Sequence, residues 1–201
     1  MTICVVTDRR RADVVDQAQR AVDAGIDLIQ IRERDLDALP LCRLVEAVVR
    51  LTRGSSTRVV VNDRVDVALA CGADGVHLRS DSIPPVAARR LAPPRFLIGR
   101  SVHSAEEAAA VVDVDYLIAG TAFPTTSKRG AAPLGVGGLR AIVAAAAVPV
   151  LAIGGVDKER FGQVAASGAA GIAAISLFST GALHTIALEA RAAFDSAQAR
   201  P

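Results

Sequence analysis

The chain has 201 residues, a formal net charge of +2, and a composition that is 51% hydrophobic and 3% aromatic with no Trp. That length allows one sizeable core and falls short of two typical domains. The small charge and scarce aromatics argue against a polyanion partner and against a base-stacking surface, so nucleic acid is excluded as an expected partner. Cys4, Cys42 and Cys71 are odd in number, far apart and without a CxxC pair, which suggests neither a disulfide framework nor a zinc site. Cys4 and Cys71 lie in apolar surroundings and read as buried, inert thiols. The N-terminus shows no basic-then-apolar leader and no apolar run is long enough for a bilayer, so the expectation is a cytoplasmic protein with no membrane contact.

In chain order, apolar runs alternate with Ala- and Val-rich helical stretches such as Val14–Ala24 and Leu39–Arg50. The strand candidates are Ile3–Thr7, Leu28–Ile31, Arg58–Val61, Gly75–Leu78, Phe96–Gly99, Tyr116–Ala119, Val150–Ile153 and Gly171–Ile175. Runs without alternation are the pattern of parallel strands covered on both faces. Eight strand-helix repeats predict a single-domain α/β fold over residues 1–201, a (β/α)8 TIM barrel. An open doubly wound sheet is the other arrangement. To hold a dinucleotide it needs a Gly-rich turn after the first strand, where this chain has Thr7-Asp8-Arg9-Arg10. The longest connection runs from Gly120 to Gly137, a length that marks a functional or mobile loop.

Polar residues collect at the predicted strand ends, where barrel enzymes keep their chemistry. After strand two, alternation puts Gln30, Arg32 and Arg34 on one side, and two guanidiniums suit a phosphate or diphosphate. The alternatives are an ion pair with Glu33 or a solvated strand end. Asn62-Asp63 offers oxygens to a hard cation or caps a helix, and Asp81 follows the next strand as a second carboxylate. Ser101 and His103 form a candidate catalytic pair; proton shuttling by His103 fits better than a hydrolase triad, because no local acid orients the ring. The other reading makes His103 the cap of the helix beginning near Ser104. His77 reads as a satisfied core histidine. Thr125-Thr126-Ser127-Lys128 offers hydroxyls and a cation to a phosphorylated ligand, or is a solvated loop. Gly154 and Gly155 after strand seven, with Ser176 after strand eight, suit a phosphate, since loops after these strands often make that site; the glycines alone could equally serve a tight turn.

These stretches together resemble the thiamine phosphate synthase and TenI-like family over nearly the whole chain. The likeness rests on Val5-Val6-Thr7-Asp8, Gln30-Ile31-Arg32-Glu33-Arg34, Val61-Asn62-Asp63-Arg64, Gly72 to Leu78, Gly99-Arg100-Ser101-Val102-His103-Ser104, Phe123 to Lys128 and Ala152-Ile153-Gly154-Gly155. The resemblance implies a β/α barrel that binds a small phosphorylated thiazole. In the synthase branch a hydroxymethylpyrimidine diphosphate is joined to thiazole phosphate. Gln30, Arg32, Arg34, Asn62 and Lys128 would then hold the diphosphate, Asp63 would bind Mg²⁺, and Thr125, Ser127, Gly155 and Ser176 would hold the thiazole phosphate. In the TenI branch a thiazole tautomerase shifts a proton with a histidine at the place of His103, and no cofactor is needed. Three departures favour the tautomerase. The synthase pattern Gly-Gln-x-Asp is replaced by Arg79-Ser80-Asp81-Ser82, which leaves Ser82 at the ligand position and Asp81 one place early. The run Gly99 to Ser104 looks more like the TenI branch, and Arg34 stands where the synthase usually has Lys. The remaining reading is a non-catalytic paralogue that binds a phosphorylated ligand. A homodimer is compatible with the family.

Overall fold

A computed structural model describes residues 1–125, 132–178 and 182–199, the side chain of Gln198 excepted. The strands are β1 (Thr2–Val6), β2 (Leu28–Ile31), β3 (Arg58–Asn62), β4 (Gly75–Leu78), β5 (Leu97–Val102), β6 (Tyr116–Gly120), β7 (Val150–Ile153) and β8 (Gly171–Ala174). All pair in parallel, and β8 returns to β1 with Thr2 beside Gly171, so the sheet closes into a barrel. The helices are α1 (Val14–Asp23), α2 (Ala38–Thr52), α3 (Val65–Ala70), α4 (Pro85–Leu91), α5 (Ala105–Ala110), α6 (Gly135–Ala145), α7 (Phe161–Ala166) and α8 (Leu183–Gln198). The (β/α)8 expectation therefore holds, and no turn for a dinucleotide is needed.

The strand sequences do not alternate because both faces are buried. Leu28, Val60, Tyr116 and Ile118 point into the barrel with Cys4, Val6, Leu151 and Ala173. Their neighbours Ile29, Val59, Val61, Leu117 and Ala119 point outward and pack on helix residues such as Ala18, Val45 and Leu139. One step of two residues further along, the inward positions of β2, β3 and β5 become Gln30, Asn62 and Ser101. The barrel interior is thus apolar low down and polar at its mouth.

The opposite end is closed by aspartates that stand just before alternate strands. Asp27 accepts the N–H of Ile3 at 2.8 Å, Asp74 that of Val59 at 2.7 Å, and Asp115 that of Ile98 at 2.7 Å. Each satisfies a strand-start donor that the ladder leaves over.

Boundaries differ from expectation where polar residues continue a strand. β5 runs on to Val102, paired with Ala119 of β6, so Ser101 belongs to the strand and faces inward. Ser104, not His103, caps α5: its hydroxyl accepts the Glu107 N–H at 3.2 Å, and Glu107 reaches back to the His103 N–H at 2.7 Å. Cys4 is buried, and burial pushes its thiol up to about 12. Cys71 is only half-buried and lies beside Cys42; desolvation and that neighbour raise its thiol to about 12. Among the described residues no helix is long and apolar enough to cross a membrane.

Candidate active site

A cavity of about 870 Å³ opens at the strand-end mouth of the barrel. Its floor is a buried polar chain. Tyr116 Oη lies 3.3 Å from His77 Nδ1, and His77 Nε2 lies 2.9 Å from Ser101 Oγ. Burial, then the charges of Arg100 and Arg32, push His77 down to about 3, so its ring is neutral. Burial raises the Tyr116 phenol, which therefore keeps its proton. A buried phenol with one partner must donate to it. His77 then accepts at Nδ1 and donates from Nε2 to Ser101, which leaves the Ser101 hydroxyl proton for the cavity. Gly99 makes room for this chain: a Cβ there would collide with the Tyr116 ring and lie 2.6 Å from His77 Nδ1. His77 is the satisfied histidine expected, and it also lines the cavity.

One wall comes from β2 and β3. Gln30 Nε2 donates to Asn62 Oδ1 at 3.1 Å, which fixes both amides. Arg32 and Arg34 line the cavity beside them. Glu33 is no partner for either. It turns the other way and accepts the Thr7 hydroxyl at 2.5 Å and the Arg9 N–H at 3.1 Å. Among the described residues neither Arg32 nor Arg34 pairs with a carboxylate. Burial and the adjacent Arg34 charge hold Arg32 below the usual arginine range. A half-buried guanidinium without an ion-pair partner favours an anionic ligand, even with the more distant charges of Asp8 and Glu33 acting on it.

Another arc of the mouth comes from the segments after β6, β7 and β8. Gly154, Gly155, Thr125 and Ser176 border the same cavity. Gly155 has φ +64°, and a Cβ would lie 2.5 Å from Pro124 O and 2.6 Å from Phe123 O, so only glycine fits. His103, exposed just past β5, donates from Nδ1 to the Gly120 carbonyl. In the neutral ring this leaves Nε2 as an acceptor. Ser127 and Lys128 lie outside the described residues.

Arg10, Arg11, Arg32, Arg34 and Arg79 line the cavity against Asp8 and Asp81. The local balance is basic although the whole chain is close to neutral, which favours a multiply charged anionic ligand.

The geometry leads to the known proteins it matches. The profile described as thiamine monophosphate synthase (TMP-TENI) matches residues 3–178. The chain belongs to this family. It is 45% identical over 185 residues to the thiamine-phosphate synthase of Methanoregula boonei, an alignment that covers 88% of this chain and 84% of the relative. It is 42% identical over 177 residues to that of Chlorobium luteolum, covering 87% and 83%. The solved thiamine phosphate pyrophosphorylase of Pyrococcus furiosus superposes with a TM-score of 0.86 at 36% identity, over 98% of this chain and 96% of that one. A 3-hexulose-6-phosphate synthase superposes at 0.69 with 19% identity and shares the fold. The relatives carry the transferase's name, so the preference for the tautomerase branch finds no support among them.

The Mg²⁺ that resemblance assigns to Asp63 meets an unsuitable donor set. Asp63 borders a smaller neighbouring pocket, not the large cavity. One of its oxygens accepts the Ser82 hydroxyl and the other faces Arg79 Nη1 at 3.5 Å. Asp81 is ion-paired with the same Arg79. Among the described residues no three His, Cys, Asp or Glu side chains gather as a metal site. A divalent ion here would displace a hydroxyl and sit against a guanidinium, so these residues do not fit it. Sequence reasoning gave no role to Arg10, Arg11 or Arg79. The available signal was that each follows a strand end, where an eight-strand barrel points side chains at one mouth.

Proposed function

We propose that this enzyme is a thiamine-phosphate synthase. It takes a hydroxymethylpyrimidine diphosphate and a thiazole phosphate and releases pyrophosphate. The carrying observation is that one cavity is lined by Arg32 and Arg34 and also by Gly154, Gly155 and Ser176; in this reading the first set takes a diphosphate and the second a phosphate. A tautomerase handles one phosphate; a synthase handles a diphosphate and a phosphate at once. The relatives at 45% and 42% identity support the same reading.

In this scheme the C–O bond between the pyrimidine methylene and the diphosphate breaks, and pyrophosphate leaves with the electron pair. The thiazole nitrogen forms the new C–N bond. Arg32 and Arg34 stabilise the charge on the departing oxygens. Gln30 and Asn62, locked to each other, orient the diphosphate. Ser101 donates its hydroxyl proton from the floor toward the substrate. The Gly154-Gly155 turn, Thr125 and Ser176 hold the thiazole phosphate close to the reacting carbon. Resemblance assigns Ser127 to the thiazole phosphate and Lys128 to the diphosphate; both lie outside the described residues.

The second reading, a proton-shifting thiazole tautomerase, draws on the His103 ring, whose Nε2 is left as a base by the Nδ1 contact to Gly120. One assay separates the two. The chain is given both thiamine precursors and thiamine phosphate is measured by chromatography. Product at a steady turnover supports the synthase. Absence of product, with aromatisation of carboxythiazole phosphate lost in His103→Gln, would falsify it in favour of the tautomerase.

A further inference from the structure

The cluster of Asp63, Arg79, Asp81 and Ser82 beside the arginine wall has no part in the scheme above. Its wiring is specific. Ser82 Oγ receives the Arg79 backbone N–H at 2.8 Å and gives its own proton to Asp63. The Arg79 guanidinium spans from Asp63 Oδ2, 3.5 Å from Nη1, to Asp81. Two of its five N–H donors are thereby used. The side chain is 34% exposed and borders both the large cavity and the smaller pocket behind it.

Asp63 is held in this arrangement by its backbone. Its φ is +65°, and its N–H donates to His77 O at 2.9 Å. Asn62 therefore faces the barrel interior, and the next carboxylate turns out toward β4. At that point the chain presents a hydroxyl and a guanidinium. Two facing carboxylates would repel unless a cation lay between them. A hydroxyl that donates to a carboxylate needs no cation. The positive charge is supplied by Arg79 itself, whose planar fork matches phosphate oxygens.

We propose that Arg79 is the built-in cation of this site, anchored by Asp63 and Asp81, and that it takes the diphosphate without a divalent metal. The proposal rests on the synthase reading and assigns the counter-charge for its leaving group. Arg79 would contact the diphosphate through its remaining donors, next to Arg32 and Arg34.

The test is calorimetric titration of the full chain with inorganic pyrophosphate, in EDTA and in Mg²⁺. Wild type binds in EDTA. Arg79→Gln weakens that binding about tenfold or more, the scale of one lost charge-assisted hydrogen bond. The double variant Arg79→Gly with Ser82→Asp reverses the dependence: it binds pyrophosphate poorly in EDTA, recovers in Mg²⁺, and holds Mn²⁺ by electron paramagnetic resonance. The assignment is overturned if wild type holds pyrophosphate only with Mg²⁺, or if Arg79→Gln binds in EDTA as wild type does. A chain that binds pyrophosphate in EDTA through Arg79 and makes no thiamine phosphate sinks the synthase reading and leaves the cation assignment standing. A chain that makes thiamine phosphate only with Mg²⁺ does the reverse.

Discussion

The two ends of the barrel use the same residue types for opposite purposes. At the closed end the aspartates before β2, β4 and β6 each hold a strand-start N–H. Asp27 takes a backbone N–H and pairs with Arg191 at 3.0 Å, and Asp115 takes one and pairs with Arg89 at 2.7 Å. At the open end Arg32 and Arg34 line the cavity, and among the described residues neither forms an ion pair. The closed end converts charge into strand register. The open end keeps charge unspent, and an unpaired guanidinium that is partly desolvated costs folding energy that only a ligand recovers. Stability and activity should therefore separate along the barrel axis.

The largest expected effect follows directly. Arg32→Ala removes the half-buried cation and should lower turnover about 100- to 1000-fold, the cost of deleting one preorganised donor from a site of developing charge. Its urea unfolding midpoint should not fall. A large loss of stability with retained turnover would place Arg32 on the wrong side of the comparison.

Much of this division was legible in the sequence. The strands stood out because a parallel barrel buries both faces, and the polar strand ends named most of the mouth. Alternation correctly put Gln30, Arg32 and Arg34 on one side. Sequence could not say where Glu33 goes, because Thr7 is its neighbour only through the pairing of β1 and β2. The sequence ends β5 at Gly99 because Arg100 and Ser101 carry no apolar signal, although their ladder to β6 keeps them in the sheet. Arg79 looked like one polar residue among several. Its meaning lies in a contact to Asp63 sixteen residues back, across two strands. The closing aspartates carry no signal for the same reason: an Asp before a strand is ordinary, and only the fold shows which N–H it serves.

The next effect sharpens the comparison through pH. His77 lies at the boundary between the apolar interior and the polar mouth, and burial holds it down to about 3 when folded. Unfolded, it titrates near the ordinary 6.5. Below that pH the unfolded chain binds the extra proton, so stability falls as pH drops from about 6.5 toward about 3. At pH 5 this one group should cost about 2 kcal/mol relative to pH 7.5. Urea unfolding at the two pH values measures it, and His77→Gln supplies the control that should lose less. Equal losses in both proteins would mean that the floor of the cavity admits a proton in the folded state.

Below these comes the closed end. Asp115→Ala strands the Ile98 N–H at the start of β5 and leaves Arg89 without its carboxylate, so chemical denaturation should show a loss of about 1–2 kcal/mol. Turnover at a temperature where the variant is folded should hardly change. Loss of activity in parallel with stability would contradict the separation of the two ends.

The smallest effect is the most discriminating about what an ion pair does. Arg9 and Asp35, past β1 and β2 on the open side, approach to 2.7 Å, the same distance as Arg89 and Asp115. Equal length does not mean equal consequence. Both Arg9 and Asp35 stand in solvent, where screening and side-chain entropy cancel most of the attraction. Asp115 differs because its second task, holding a strand-start N–H, has no substitute in water. Arg9→Ala should leave the thermal midpoint where it is, while Asp115→Ala lowers it. If the two variants lost the same stability, charge pairing itself would be the stabilising element, and the backbone donor that Asp115 covers would not be what sets the closed end apart.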